Sequence, residues 1–424
     1  MRVLIVNTSE NTGGAAVAAN RLMEALNNNG VKAKMLVRDK QTDSITVAAL
    51  PNTWRLQWHF LWERFVVYFH LRFNRTNLFQ IDIANAGSDI TSTREFKEAD
   101  VIHLNWINQG MLSLRTIRKI IDSHKPVVWT MHDLWPASSI CHYARTCHGF
   151  ENHCGNCELL PNGGSRNDLS ARVWKRKKAA YGNSSVLFVT CSKWLAGLAK
   201  KSGLLVGQKI ISIPNTIDTR VFCPINRETA RLAAGLPLDK NLMLFVSQRV
   251  TDKRKGMDYF IRALEKLVEQ HPQMKETTGI AILGGQAEEL AELLPLPSYP
   301  LGYVNEERKI ANVYSSADMF VLPSLEDNLP NTIMEAMACG VPCVGFNTGG
   351  IPEMIDHQRN GYVAEYKNVD DLAKGMAWVM FEADRKTLAE DAMKKVSATY
   401  SQHAVAMKYI EAYNQAMALK RYKL

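Results

Sequence analysis

The sequence predicts two α/β domains, each a parallel sheet covered by helices, and three observations carry this. The chain has 424 residues, too long for one ordinary core and long enough for two. Short apolar runs recur along it, each ending in glycine or polar residues before a helical pattern, which is the order of a parallel α/β sheet. Between residues 215 and 240, Pro224, Gly235 and Pro237 break that order and mark a hinge. With 46% hydrophobic and 22% charged residues, the composition is that of a soluble globular protein. No segment approaches the apolar length that spans a bilayer, and the first residues read as a strand rather than a signal peptide, so a cytoplasmic protein is expected. The net charge of +9 favours anionic partners such as nucleotide diphosphates, anionic lipid or nucleic acid. No nucleic-acid reader motif is present, and that partner is not expected.

In the first domain, Met1 to Asn7 reads as a buried strand, followed by a turn with Gly13 and Gly14 and an alanine-rich helix through Leu26. Strand, glycine turn and helix open a Rossmann-like unit, although these glycines lack the dinucleotide spacing. Residues 53 to 78 interleave Trp54, Trp58, Trp62, Phe65, Phe69 and Phe73 with Arg55, Arg64, Arg72 and Arg75. They fall in a helical insertion expected over residues 50–95, which suits either the headgroup region of an inner-leaflet membrane surface or packing on the first domain. Residues 99–106 and 126–133 give two further strands, the second ending at His132 and Asp133, where parallel sheets bind ligands. Cys141, Cys147, Cys154 and Cys157 follow within 17 positions. In a cytosolic chain their spacing suggests a structural zinc site that shapes a polar loop over residues 136–161, or else four reduced thiols. Residues 168 to 182 form a basic helix, expected as a solvated face or as one that meets a pyrophosphate-lipid acceptor, and Ser192 is the predicted N-cap of the next helix.

The second domain opens with the strand Leu242 to Ser247, then Arg249 and Lys255-Gly256 ahead of a helix from Met257 to His271. A guanidinium clamps two phosphate oxygens and a lysine adds a mobile point charge, so this pair can neutralise a diphosphate. Lys253 and Arg254 compete for the second role, but the glycine that follows selects Lys255. Strand Ile280 to Gly285 leads to Gly302 and Tyr303. A helix over 310–317 precedes the central strand Met319 to Pro323. A polar turn then enters a helix over 331–339, whose N-terminus suits an anion, flanked by Asp327 and Glu335. Gly340 stops it, a second buried strand ends at Gly349-Gly350, and residues 402–424 read as an amphipathic helix.

The stretch PSLEDNLPNTIMEAMACGVPCVGFNTGGIPEMI, residues 323–355, resembles the acid-x7-acid motif of retaining glycosyltransferases of family 4. Arg249 with Lys255-Gly256, the segment Pro214 to Asp218, and Gly349-Gly350 with Glu353 match that family in the same order. Asp327 stands where glutamate is usual, with Glu326 one place early, and Thr216 replaces a usual glycine.

The resemblance implies the GT-B fold: two Rossmann-like doubly wound domains, 1–220 and 221–400, facing across a cleft, and a helix over 401–424 crossing back to the first. It implies a nucleotide-diphosphate sugar as donor, transferred with retention, without a cofactor or divalent cation; no Asp-x-Asp motif is present. His132 would face the donor sugar, Arg249 and Lys255 the diphosphate, and Glu335 the ribose. Asp327 or Glu326 would be the first acid. Gly13 and Gly14 would lie near the donor phosphates, Gly302 and Tyr303 at the base, and the backbone of Asn328, Leu329, Pro330 and Asn331 at phosphate and sugar. The cysteine loop would be a lid over the acceptor. A hexose-type sugar moved to a lipid-diphosphate-linked saccharide in surface polysaccharide or lipopolysaccharide synthesis is the setting implied. A catalytically degenerate nucleotide-sugar binder and a GT-B epimerase are the alternatives.

Overall fold

The computed structural model describes residues 1–51, 53–249 and 251–421. They form two compact units, one of residues 1–214 with the chain from Val405 onward, the other Asn215–Ala404.

In the first unit, seven strands pair in the order β3-β2-β1-β4-β5-β6-β7, all parallel. They are β1 (Arg2–Ser9), β2 (Lys32–Asp39), β3 (Val47–Ala49), β4 (Val101–Leu104), β5 (Val127–Met131), β6 (Leu187–Thr190) and β7 (Lys209–Ser212). Their buried runs are apolar on both faces because helices cover both sides. The longer helices are α1 (Gly14–Asn28), α2 (Thr53–His70), α3 (Leu114–Asp122), α4 (Leu169–Tyr181) and α5 (Lys193–Lys201). Ile117 of α3 and Trp174 of α4 pack with Leu104, Trp129 and Phe188 on one face of the sheet. On the other, Leu22 and Leu26 of α1 pack with Val3, Ile5 and Val128. Three of these helices start on a side-chain cap: Ser113 accepts from the Thr116 amide, Asp168 from Ala171 and Ser192 from Leu195, the last as the sequence predicts. Each cap satisfies an otherwise orphaned N–H and is worth about 1 kcal/mol.

The second unit has six parallel strands in the order β10-β9-β8-β11-β12-β13. These are β8 (Asn241–Arg249), β9 (Thr278–Gly285), β10 (Ser298–Pro300), β11 (Met319–Leu322), β12 (Cys343–Phe346) and β13 (Gly361–Ala364). Around them lie α6 (Arg227–Ala234), α7 (Met257–Gln270), α8 (Glu307–Ser316), α9 (Asn331–Ala338), α10 (Val369–Ala377) and α11 (Arg385–Thr399). Just before β11, Asp318 is buried and accepts from Arg227, Arg231 and Arg385 at 2.6–2.8 Å and from the Leu242 amide at 2.7 Å. That cluster joins α6 and α11 to the N-terminal edge of the sheet and leaves the C-terminal edge for ligand.

The last helix, α12 (Gln402–Arg421), buries Val405, Tyr409, Tyr413 and Ala416 in the first unit. His103 of β4 bridges Tyr413 at 2.9 Å and Thr130 at 2.7 Å, and Thr130 meets Tyr409 at 3.0 Å. The helix predicted for 402–424 is thus seen to Arg421; residues 422–424 lie outside the described residues.

Two regions differ from the sequence reading. The segment expected as a helical insertion, 50–95, is helical over α2 and then turns without regular structure, its backbone meeting the cysteine loop at a bridge from Ile81 to Cys141. Lys177, in the run expected as a solvated face, is fully buried: Nζ donates to the carbonyls of Trp135 at 2.6 Å and Ser138 at 3.1 Å and lies 3.3 Å from the Trp135 ring centre. The 3.6-residue period turns that position inward while Arg172, Lys175, Arg176 and Lys178 face out.

Candidate functional site

The strand order of the second unit reverses direction at β8. From β8 the chain winds through β9 to β10 on one side, then returns to β11 on the other, so the carboxyl ends of β8 and β11 flank a topological switch point, where open α/β sheets bind ligands. Arg249 ends β8 and is exposed. A turn over Lys253–Lys255 follows, and Gly256 caps α7 with φ +74°. A Cβ there would lie 1.8 Å from the Pro323 carbonyl oxygen, so only glycine lets the lysine turn and the loop after β11 come this close.

That loop, 323–330, is tied down from both sides. The Leu325 amide donates to the Arg254 carbonyl at 2.8 Å, and Arg254 Nη1 donates to the Glu326 carbonyl at 3.0 Å. Lys255 Nζ donates to Asp327 Oδ2 at 2.5 Å, as does Ser324 Oγ at 3.0 Å. From the far side the Gly350 amide donates to the Asp327 carbonyl at 3.1 Å, and at Gly349, φ +58°, a Cβ would sit 1.7 Å from that oxygen. Burial works against charge on Asp327, but Lys255, Arg254 and the Ser324 hydroxyl outweigh it and hold its carboxyl below the usual range. Of the two candidates for the first acid, the structure therefore ties Asp327 to Lys255 and leaves Glu326 half-buried beside it.

Helix α9 begins where this loop ends. Asn328 and Leu329 are buried, and Pro330 at the N-cap provides no side-chain cap. Asn331 accepts from Asn215 Nδ2 at 2.9 Å through its Oδ1. Glu335 lies one turn further on the same face, buried, and accepts from the Tyr314 hydroxyl at 2.9 Å. Between them, Thr332 Oγ1 is buried and has no hydrogen-bond partner among the described residues. Thr332 and Arg254 were not among the predicted site residues; for Thr332 the available signal was its place in the first turn of a helix whose N-terminus the sequence reads as suited to an anion. Beyond β9, the Gly302 carbonyl accepts from the Gly284 amide at 2.8 Å, and Tyr303 presents its ring to solvent, 63% exposed.

In the first unit, Gly13 and Gly14 lie at the start of α1, Gly13 with φ +92°. His132 follows β5, its Nε2 2.9 Å from Asn105 Oδ1. Burial drives its imidazole down to about 4 against the pull of Asp133, which leaves the ring neutral at pH 7. Asp133 enters a polar ladder that the sequence did not reveal. Its Oδ2 accepts from Trp106 Nε1 at 3.0 Å and from His142 Nδ1 at 2.7 Å; His142 Nε2 is 2.7 Å from Asp82 Oδ2, and Asp82 pairs with Arg64 of α2. Burial opposes charge on His142, and the two carboxylates outweigh it and push the group up to about 10. Glu63 is raised to about 7, by burial and by Asp82, against Arg64 and the amides of Ile83 and Ala84. Trp106, Asp133 and His142 also line a cavity of about 240 Å³, closed by Phe79, Gln80 and Arg145.

The cysteine loop forms one wall of that cavity through Cys141. Its four thiols are in no disulfide, Cys147 exposed, Cys154 buried and the others half-buried. Burial, with the neighbouring thiols adding to it, pushes Cys154 and Cys157 up to about 12. Among the described residues no three His, Cys, Asp or Glu side chains are arranged to hold a metal ion, so no chemistry is assigned to one.

With this geometry in hand, comparison with known proteins is direct. The model of Glycosyltransferase Family 4 matches residues 12–221, and that of Glycosyl transferases group 1 matches residues 240–381. The chain belongs to the GT-B glycosyltransferases. It is 32% identical over 192 residues to an uncharacterized glycosyltransferase of Methanocaldococcus jannaschii, covering 45% of this chain and 48% of that one. The chain spans about half the length of the curated relatives it matches. In fold it is similar to sucrose-phosphate synthase from Thermosynechococcus elongatus, with a TM-score of 0.68 at 17% identity over 99% of both chains. It is also similar to HepE of Anabaena in complex with UDP and glucose, with a TM-score of 0.63 at 16% identity over 98% of this chain and 100% of that one.

Proposed function

We propose that this protein transfers a hexose-type sugar, with retention of anomeric configuration, from a nucleotide-diphosphate sugar to a lipid-diphosphate-linked saccharide in surface polysaccharide synthesis, at the cytoplasmic face of a membrane. The observation that carries the reading is the Lys255–Asp327 pair, clamped between Gly256 and Gly349 at the switch point. An ammonium has three donors, more than Asp327 takes, and its position is fixed before any ligand arrives. Lys255, Arg249 and the first turn of α9 together supply positive potential for a diphosphate. They stabilise the charge that grows on it as the glycosidic bond breaks, the electrostatic contribution that is usually largest. Asp327 acts as a positioning residue through Lys255. Glu335, held by Tyr314, accepts from ribose hydroxyls, Thr332 and the backbone of 328–331 serve phosphate and sugar, and Tyr303 stacks on the base. The HepE complex with UDP supports a nucleotide donor.

On the first unit, neutral His132 is assigned to sugar binding and the Trp106 cavity takes the acceptor's terminal saccharide, an aromatic ring and fixed polar groups being what a pyranose requires. The leaving phosphate takes the acceptor proton; no second carboxylate is assigned as nucleophile. Incubation with UDP-, GDP-, ADP- and dTDP-sugars and a polyprenyl-diphosphate saccharide, followed by NMR of the product, tests this. A product with the donor's anomeric configuration, formed in EDTA, is expected. An inverted product or interconversion of the free donor would overturn it.

A further inference from the structure

Helix α2 is apolar on two faces. Leu56 and Val67, with Leu71 just beyond the helix, are at most 3% exposed and seat it on the first unit. The opposite face carries Trp54, Trp58, Leu61, Trp62, Phe65 and Phe69, between 49% and 70% exposed. Their spacing of 4, 7, 8, 11 and 15 from the first makes a single stripe along a helix about 27 Å long. Neighbouring rings pack on one another, Trp54 edge-on to Trp58 at 6.0 Å and Trp62 stacked with Phe65 at 6.1 Å. A contiguous apolar face of this size marks a binding surface.

Charge identifies what binds there. Between residues 53 and 79 the sequence has one acid, Glu63, and it is fully buried. Arg55, Arg72 and Arg75 are exposed, and Arg172 of α4 joins them, its Nη2 3.1 Å from His70 Nε2 at the end of α2. Two copies of this face would bring like charges together, whereas anionic headgroups complement them. No described helix is long and apolar enough to cross a membrane, so α2 would lie in the interface plane. We propose that the outward face of α2 docks the protein on an anionic lipid bilayer, with Trp58, Trp62 and Phe65 entering the headgroup region and the arginines meeting lipid phosphates. This rests on the functional reading only for its membrane setting. Arg64, on the same helix, lies 5.8 Å from the ring of Phe79 in the wall of the Trp106 cavity, so docking holds that cavity near the bilayer.

The test is flotation of the full chain with vesicles of phosphatidylcholine alone or with about 30% phosphatidylglycerol. Binding to the anionic vesicles, weakened by salt, is expected, as is a loss of at least about tenfold in partitioning for Trp58→Ser/Trp62→Ser/Phe65→Ser with an unchanged melting temperature. Arg55→Glu/Arg72→Glu should lose the preference for anionic lipid. Wild type that stays off anionic vesicles, or a triple variant that floats equally well, overturns the proposal. So does a dimer in light scattering that the triple variant abolishes, which would assign the face to a second copy. Donor binding by the triple variant, measured separately, tells a failure here from a failure of the transferase reading.

Discussion

Replacing His142 by Gln removes a cation from between two buried carboxylates. The imidazole is 8% exposed and lies 2.7 Å from both Asp133 and Asp82. Its folded value of about 10 stands against an ordinary value of about 6.5 in the unfolded chain. Between those values the folded state binds the extra proton. The stability His142 contributes is therefore complete below about pH 6.5 and is lost as pH rises through about 10. At about 1.4 kcal/mol per pH unit the contribution is about 4 to 5 kcal/mol, in the range measured when one partner of a buried ion pair is deleted. At about 2 to 4 °C per kcal/mol, the first unit should melt about 8 to 20 °C lower in His142→Gln at pH 7. Calorimetric scans of both proteins from about pH 7 to about pH 10.5 read this directly. The gap should narrow steadily as the wild type loses its proton. A gap that stays constant over that range, or no gap at pH 7, would refute the assignment of a buried imidazolium.

Three further outcomes follow. Lys255→Ala should lower transfer by about 10²-fold or more with circular dichroism unchanged, because one preorganised charge is lost beside Asp327; undiminished turnover would remove Lys255 from the site. In Gly349→Ala the new Cβ would meet the Asp327 carbonyl at 1.7 Å from a backbone with φ +58°, so urea unfolding should show a loss of about 2 kcal/mol or more together with weakened donor binding, and a wild-type midpoint would contradict the clamp. Metal analysis of protein purified without chelator decides the reading of Cys141, Cys147, Cys154 and Cys157 as a zinc site, which requires about one equivalent; less than about a tenth would leave them as reduced thiols.

Much of the fold was legible because parallel strands buried on both faces read as unbroken apolar runs, and because Gly13, Gly256, Gly340 and Gly349 sit where positive φ is required. The approach of Lys255 to the loop at Asp327 was legible for the same reason: both belong to short local patterns whose glycines show which residues come close. The ladder from Asp133 through His142 and Asp82 to Arg64 was not. Its members come from three separate stretches, and nothing local to Asp82, after an irregular turn, marks it as a partner of a histidine 60 positions away. Lys177 was misread because a basic run obscures the one position that the helical period turns inward. The stripe on α2 was visible, but sequence could not tell an outward aromatic face from a core face; exposure did.

Calorimetric titration reads whether the switch point of the second unit holds a nucleotide diphosphate through Lys255. UDP-, GDP-, ADP- and dTDP-sugars would be titrated in EDTA into the wild type, Lys255→Ala and Glu335→Gln. One nucleotide series should bind the wild type at a single site and bind both variants at least about tenfold more weakly. Equal affinity in all three proteins, or no binding of any nucleotide sugar by folded wild type, would rule out a diphosphate site at Lys255.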